Sequence, residues 1–217
     1  SDEKKLDYLK AGEEEAFSAS DEIKDVFTGL SEQDEHVEIY NSDGVMFEDN
    51  RVRTRLMVEA IASDGKGFQS GYEAPGLSEG LELLEDIDFV ALCEKAAKTA
   101  VALLKAPEGP SGEMPVVLGN GFGGVLFHES CGHPLEGSAI SHATSPFTGK
   151  LGKKIASPLV SAFDDGTIPN GWGSENVDDE GNAPTKNQLI KDGVLVSYML
   201  DRYTARRINP TLTPTGA

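Results

Sequence analysis

The sequence predicts an α+β protein in two parts, a helix-and-hairpin N-terminal unit followed by a β-rich domain that carries one distorted helix. Three observations lead there. Apolar residues recur with helical spacing near the N-terminus and again between Ile87 and Leu104. Between those segments, residues 36–70 alternate apolar and polar positions and are punctuated by Ser42-Asp43-Gly44 and Asp64-Gly65, which are hairpin signals. From Pro158 onward, turns at Asp164-Asp165-Gly166, Asn170-Gly171, Glu180-Gly181 and Asp192-Gly193 follow at intervals typical of β-rich structure.

Taken in order, Asp2 to about Leu30 reads as two short amphipathic helices, with Leu6, Leu9, Ala16, Phe17, Ile23, Val26 and Phe27 as the apolar positions. Two or three antiparallel strands follow, with Val37, Ile39, Val52, Leu56 and Val58 facing a core. The helix from Ile87 to Leu104 buries a stripe of Phe89, Val90, Leu92, Ala96, Ala97, Ala100, Val101 and Leu104. Cys93 belongs to that helix as a small hydrophobe, since no cationic neighbour is in view to activate it. Ala106 to Glu113, with two prolines and two glycines, is the best boundary in the chain, dividing residues 1–107 from 108–217. Beyond it, Met114 to Leu118 reads as a short strand, a glycine-rich turn follows, and a helix begins near Gly123. Leu195 to Met199 reads as a strand and Asp201 to Ile208 as a short helix.

Composition bounds the function. With 217 residues and 38% hydrophobic content the chain can bury an ordinary core. No apolar run approaches the roughly 20 residues that span a bilayer, and SDEKKLDYLK lacks the apolar centre of a signal peptide. A cytoplasmic protein without membrane partners is expected, and Ser1 in place of Met hints at residues upstream. The net charge is −18, and 16 of the 37 acidic residues fall in the first fifty positions. Nucleic acid is therefore excluded as a partner, because neutralising phosphates needs a basic face. Two cysteines, Cys93 and Cys131, are too few for a disulfide scaffold and read as reduced thiols.

The chemistry concentrates in Gly119 to Gly137, GNGFGGVLFHESCGHPLEG. His128, Glu129 and His133 place two imidazoles and a carboxylate within six residues. Two neutral imidazoles suit zinc, and an adjacent glutamate that is not a ligand can take a proton from the water that the metal activates. The spacing is one residue longer than the H-E-x-x-H of metalloproteases. On a regular α-helix, five steps of roughly 100° would leave the imidazoles about 140° apart. A π-bulge restores their alignment, and Gly132 is where the distortion is expected.

Three further patterns compete for attention. Gly119, Gly121 and Gly124 match G-x-G-x-x-G, but no acidic residue lies about twenty positions on and no second parallel strand is visible. Dinucleotide binding is therefore the weakest alternative, and the glycines read as a sharp turn and close backbone approach beside the metal helix. Asn176, Asp178, Glu180 and Gly181 imitate the start of an EF-hand loop, yet the twelfth position is Asn187. An acidic turn between strands is the simpler reading. His142 lies in a polar loop and reads as exposed, with an approach to the metal as the alternative.

The run VVLGNGFGGVLFHESCGHPLEG resembles the signature of the TldD/PmbA metallopeptidases, once labelled modulators of DNA gyrase. TSPFTGKLGKKIASPLV, DDGTIPNGWGSENVDDEGNAPTKNQLIKDGVL and SYMLDRYTAR continue in the order of TldD-type members. The resemblance implies that His128 and His133 bind zinc, that Glu129 is the catalytic base, and that the third ligand is a cysteine downstream of Ala217. Cys131, inside the motif, is no substitute for it. Residues 1–107 would be the latter part of the family's N-terminal α+β domain and 108–217 the first part of its β-rich catalytic domain, so the chain is expected to be truncated at both ends.

By the same resemblance the function is zinc-dependent hydrolysis of unfolded or small peptides. The alternative is a catalytically inactive fragment, or a scaffold subunit of a TldD/TldE-like assembly. Expected partners are a peptide substrate and a PmbA/TldE-like sibling or a second copy of the chain. PmbA/TldE-type siblings lack the HExxxH residues, whereas this chain has all three.

Overall fold

A computed structural model describes residues 2–216 and divides them into two compact units. One comprises the stretch to Glu35 together with Asn50–Gly112, and the other His36–Asp49 together with the stretch from Glu113 onward. The arrangement is α+β, with antiparallel strand pairs and helices in separate runs along the chain.

The first unit opens with one helix, α1 (Asp2–Ser18), and passes directly into a long strand, β1 (Ile23–Tyr40). The second of the two helices expected before Leu30 does not form. Ile23 and Val26 have the three-residue spacing of a helix face, and both are buried, but the backbone from Ile23 on is extended and lies beside β2 (Met46–Ser63). Pairing along an 18-residue strand outweighs the modest helical preference of this segment. The hairpin is tied at both ends, by Ser63 N–H donating to Glu22 O at 2.8 Å and Asn41 N–H donating to Val45 O at 3.2 Å.

β3 (Phe68–Glu73) pairs antiparallel with β2, and β4 (Gly76–Leu77) pairs with β2 as well. Both predicted turns are present. Gly44 and Gly65 have φ of 85° and 82°, and Asp64 Oδ1 accepts from Lys66 and Gly67 N–H, which holds that carboxyl below its usual pKa. Leu56, Val58, Ala60 and Ala62 alternate along β2 and are buried. Val37, Ile39 and Val52 are only half-buried.

A single turn, α2 (Leu83–Asp86), leads to α3 (Phe89–Leu104), whose N-cap Asp88 accepts from Ala91 N–H. Its buried face is Phe89, Cys93, Ala96, Ala97 and Ala100, while Val90, Leu92, Val101 and Leu104 are half-buried. Small residues let α3 come close to its neighbours. A Cβ on Gly12 of α1 would lie 2.7 Å from Cys93 Sγ, and one on Gly71 of β3 would run into the Ala96 carbonyl. Tyr8 stacks on Phe89 with centroids 5.7 Å apart and donates its hydroxyl to Ile87 O. Cys93 is inside this core, and burial pushes its thiol up to about 12.

The expected strand Met114–Leu118 is absent. The segment pairs in no ladder, and Val116 and Val117 are 70% and 98% exposed. Apolar β-prone residues need a neighbouring strand to pair with, and none lies beside them among the described residues. The second unit's sheet comes later, β5 (Ala162–Asp165), β6 (Lys186–Lys191) and β7 (Val194–Leu195), antiparallel in that order. Asp192 and Gly193, at φ 48° and 81°, form the tight β6–β7 turn.

The strand predicted to reach Met199 stops at Leu195, because Met199 bridges to Glu136 instead of continuing along β6. Tyr198 and Leu200 turn inward, and Tyr198 donates its hydroxyl to Phe147 O. α6 (Arg202–Ile208) follows with Asp201 as N-cap. The second core gathers Leu135, Ile140, Ala162, Leu189, Ile190, Leu195, Tyr198, Leu200 and Ala205. The tip of the β1–β2 hairpin belongs to this unit through Arg202 Nη1 donating to Asp43 Oδ2 at 2.6 Å and Asn176 Nδ2 donating to Asp49 Oδ1 at 2.7 Å.

Candidate metal centre

Between Gly119 and Gly137 the backbone changes its helical pitch three times. Gly121, at φ 80°, makes the sharp turn, and a 3₁₀ turn over Gly121–Gly123 follows. The regular turn α4 (Gly124–Phe127) comes next, then a π-helical turn over His128–Gly132 and a 3₁₀ turn over His133–Leu135. The expected close backbone approach is missing at Gly119, Gly121 and Gly124, where a Cβ would meet nothing within 4 Å. Without a strand at Met114–Leu118, these glycines also lack the strand that a dinucleotide fingerprint requires.

The π turn falls on the residues between the two histidines and includes Gly132, at φ −55° and ψ −73°. Widening the turn brings side chains five apart to one face. His128 Nε2 and His133 Nε2 lie 3.0 Å apart, with ring centroids at 4.3 Å and planes at 68°. Glu129 completes a cluster whose ligand-type atoms all lie within 4.8 Å of one another, exposed to solvent. A Cβ on Gly132 would sit 3.0 Å from His128 Nδ1, so the bare glycine leaves room for that ring.

Sequence reading missed one member of this group. Glu136 Oε1 lies 2.6 Å from His133 Nδ1. Its hydrogen bond is the main cause raising the His133 pKa above the usual histidine range; desolvation opposes it, and the charges of Glu136 and Glu129 add to it. The available signal was its place three residues after His133.

The segment after the pair is firmly held. Leu135 is fully buried, Ser145 Oγ donates to Pro134 O at 2.6 Å, and Gly137 N–H donates to Met199 O at 2.7 Å. Gly137 opens α5 (Gly137–Ser141), where a Cβ would lie 2.7 Å from Thr204 Cβ.

The remaining sequence candidates stand apart from the cluster. Cys131 packs half-buried against the second core, and burial raises its thiol pKa. His142 is at the C-terminal end of α5, its Nδ1 2.9 Å from Ser138 O. In the EF-hand look-alike, Asp178 Oδ1 accepts from Glu180 and Asn182 N–H, and Glu180 Oε2 accepts from Arg202 N–H. It is an acidic turn between β5 and β6 whose carboxylates are spent on the fold. The residues present fit a zinc-type ion at His128 and His133, with two imidazole nitrogens converging and a carboxylate fixing the far side of one ring.

The fold is α+β, and its helix-borne cluster of His128, Glu129 and His133 is one that could hold a metal ion. Residues 1–104 match the domain described as PmbA/TldA metallopeptidase central domain, and residues 111–217 match the PmbA/TldA metallopeptidase C-terminal domain. The chain belongs to the PmbA/TldD family. It is 38% identical to a metalloprotease TldD homolog of Haemophilus influenzae over 99% of this chain and 45% of that one. Over 81% of this chain and 38% of the relative, it is 40% identical to a metalloprotease of Methanothermobacter thermautotrophicus.

Among solved structures, a Thermotoga maritima protein named as a candidate modulator of a DNA gyrase superposes with TM-score 0.87 at 27% identity, covering 100% of this chain and 49% of that one. TldE from Thermococcus kodakarensis shares the fold, with TM-score 0.78 at 22% identity over 97% of this chain and 46% of its own. The chain thus spans about half the length of the curated relatives it matches.

Proposed function

We propose that this chain carries the catalytic centre of a zinc-dependent peptidase of the TldD type, acting on unfolded or small peptides. The observation that carries the reading is the convergence of His128 Nε2 and His133 Nε2 at 3.0 Å beside Glu129, on a π turn exposed to solvent. Relatives named as metalloproteases support it. His128 and His133 would hold the ion, and the family resemblance supplies the third ligand as a cysteine downstream of Ala217. Residues 1–107 are read as the latter part of the domain preceding the catalytic one, and 108–217 as the first part of the catalytic domain.

Bound there, zinc supplies a Lewis acid for the scissile carbonyl and acidifies the attacking water. The chain's own contribution is proton handling. Glu129 takes the proton as the water oxygen bonds to the carbonyl carbon, then delivers it to the departing amine nitrogen as the C–N bond breaks. Hydrolysis thus ends in a carboxylic acid and an amine, with Glu129 regenerated. The protein is proposed to work in the cytoplasm, in an assembly with a PmbA/TldE-like sibling or a second copy of itself.

The test is hydrolysis of an unstructured peptide by the full-length protein, with and without a chelator, alongside Glu129→Gln. General-base catalysis contributes about 10²–10⁴-fold, so the variant should lose at least about 100-fold in rate while retaining its metal. Full activity in a metal-loaded Glu129→Gln protein would remove Glu129 from this role. The inactive-scaffold alternative predicts no chelator-sensitive hydrolysis by this protein alone, and activity indifferent to Glu129→Gln once an active partner is added.

A further inference from the structure

A neutral imidazole has one N–H and one lone pair, and whichever nitrogen carries the proton decides which can bind a metal. In His133 the neighbour of Nδ1 is Glu136. Its Oε1 stands 2.6 Å from Nδ1, placed to accept a hydrogen carried there, the tautomer that frees the Nε2 lone pair; His128 Nε2 lies 3.0 Å from that Nε2. The Glu136 backbone also has little freedom of its own. It bridges to Met199, its successor Gly137 donates to Met199 O, and Thr204 packs where a side chain at 137 would otherwise sit. Thr204 is fixed in turn by the capping box at the start of α6, where Asp201 Oδ1 accepts from Thr204 N–H at 2.6 Å and Thr204 Oγ1 accepts from Asp201 N–H at 3.2 Å.

We infer that Glu136 is the positioning residue of the centre, its carboxylate holding His133 Nδ1–H so that Nε2 is aimed at the ion, with the start of α6 bracing Glu136 from behind. This rests on the reading of His128 and His133 as metal ligands. The two side chains remain 54% and 46% exposed, and exposed ion pairs contribute little to folding. The effect of Glu136 therefore belongs in metal affinity and not in stability. Outer carboxylates of this kind are worth about 10–100-fold in affinity.

The experiment titrates zinc against a chromophoric chelator in the full-length protein at fixed pH, comparing wild type, Glu136→Ala, Glu136→Gln and His133→Ala, with a urea midpoint for each. Glu136→Ala should weaken zinc about 10–100-fold at an unchanged midpoint. Glu136→Gln keeps an acceptor oxygen and should recover most of that loss, a rescue that a merely structural role would not produce. Wild-type affinity in Glu136→Ala, together with zinc loss in His133→Ala, overturns the role of Glu136 and leaves the metal centre standing. Wild-type affinity in His133→Ala overturns both.

Discussion

Replacing Gly71 by alanine should be among the most damaging single-methyl changes available to this chain. Gly71 sits in β3 opposite Ala60, with α3 lying over it. The added Cβ would be 2.9 Å from the Ala100 amide nitrogen and well inside contact with the Ala96 carbonyl oxygen. Both obstacles are helix backbone, so no rotamer change relieves the clash. Carbon contacts are comfortable near 3.5–4.0 Å, so α3 would have to retreat by on the order of 1 Å along its length. Cys93, Ala96, Ala97 and Ala100 are fully buried on that face and would lose packing together.

Overpacking of this kind costs about 1–3 kcal/mol, and the rigid obstacle puts Gly71→Ala at the upper end. The gain from replacing a strand glycine, about 0.5–1 kcal/mol, leaves a net loss of roughly 2 kcal/mol. Urea unfolding followed by far-UV circular dichroism measures it. Gly67→Ala is the control, since a Cβ there meets nothing within 4 Å, and it should stay within about 0.5 kcal/mol of wild type. A Gly71→Ala protein as stable as that control would refute the claim that bare backbone sets the α3–β3 distance.

Two further outcomes follow from buried acids. Asp164 has its Oδ2 buried without a hydrogen-bond partner, and its pKa is raised, first by burial and then by the Asp165 charge, against a lowering hydrogen bond from Asn187. A raised folded pKa means the native state holds the proton more tightly than the unfolded chain, so this group's contribution falls as pH rises through the carboxylate range. Asp164→Asn should therefore raise the unfolding free energy at pH 7 by about 1 kcal/mol, with a higher urea midpoint, and lose that advantage near or below about pH 4; a lower midpoint at pH 7 would contradict it. Cys93, pushed up to about 12, should resist iodoacetamide at pH 8 in the native protein and react once urea is added. The same shift makes stability level up to about pH 9 and declining beyond, as the unfolded thiol ionises first; rapid labelling of native Cys93 would count against its burial.

What could be read from the residues was whatever depends on a few neighbours. The turn at Asp64-Gly65, α3 with much of its buried face, the short helix after Asp201 and the π turn between His128 and His133 are all set by short spacings and were anticipated. The failures share a different cause. Ile23 and Val26 look helical until β2 is beside them, Met114–Leu118 looks like a strand although no partner comes to it among the described residues, and Met199 leaves β6 for Glu136. Each depends on a segment far away in the chain, which local periodicity does not register. Glu136 escaped for a related reason, because its importance comes from one hydrogen bond and from a brace that begins at Asp201, sixty-odd positions later.

The π turn also has a bearing on how such a centre tolerates change. A helix that takes in one extra residue within a single widened turn restores its own phase immediately afterward, so Leu135 can still face the core while the histidines face out. The widened turn itself is confined to His128–Gly132, and after the 3₁₀ turn the extended Glu136, at φ −66° and ψ 140°, ends the helical run before α5 begins. Forcing regular α-helical geometry on the same residues would instead turn Leu135 by about 100° and carry it out of its core, whereas deleting one residue from the widened turn would leave its phase unchanged.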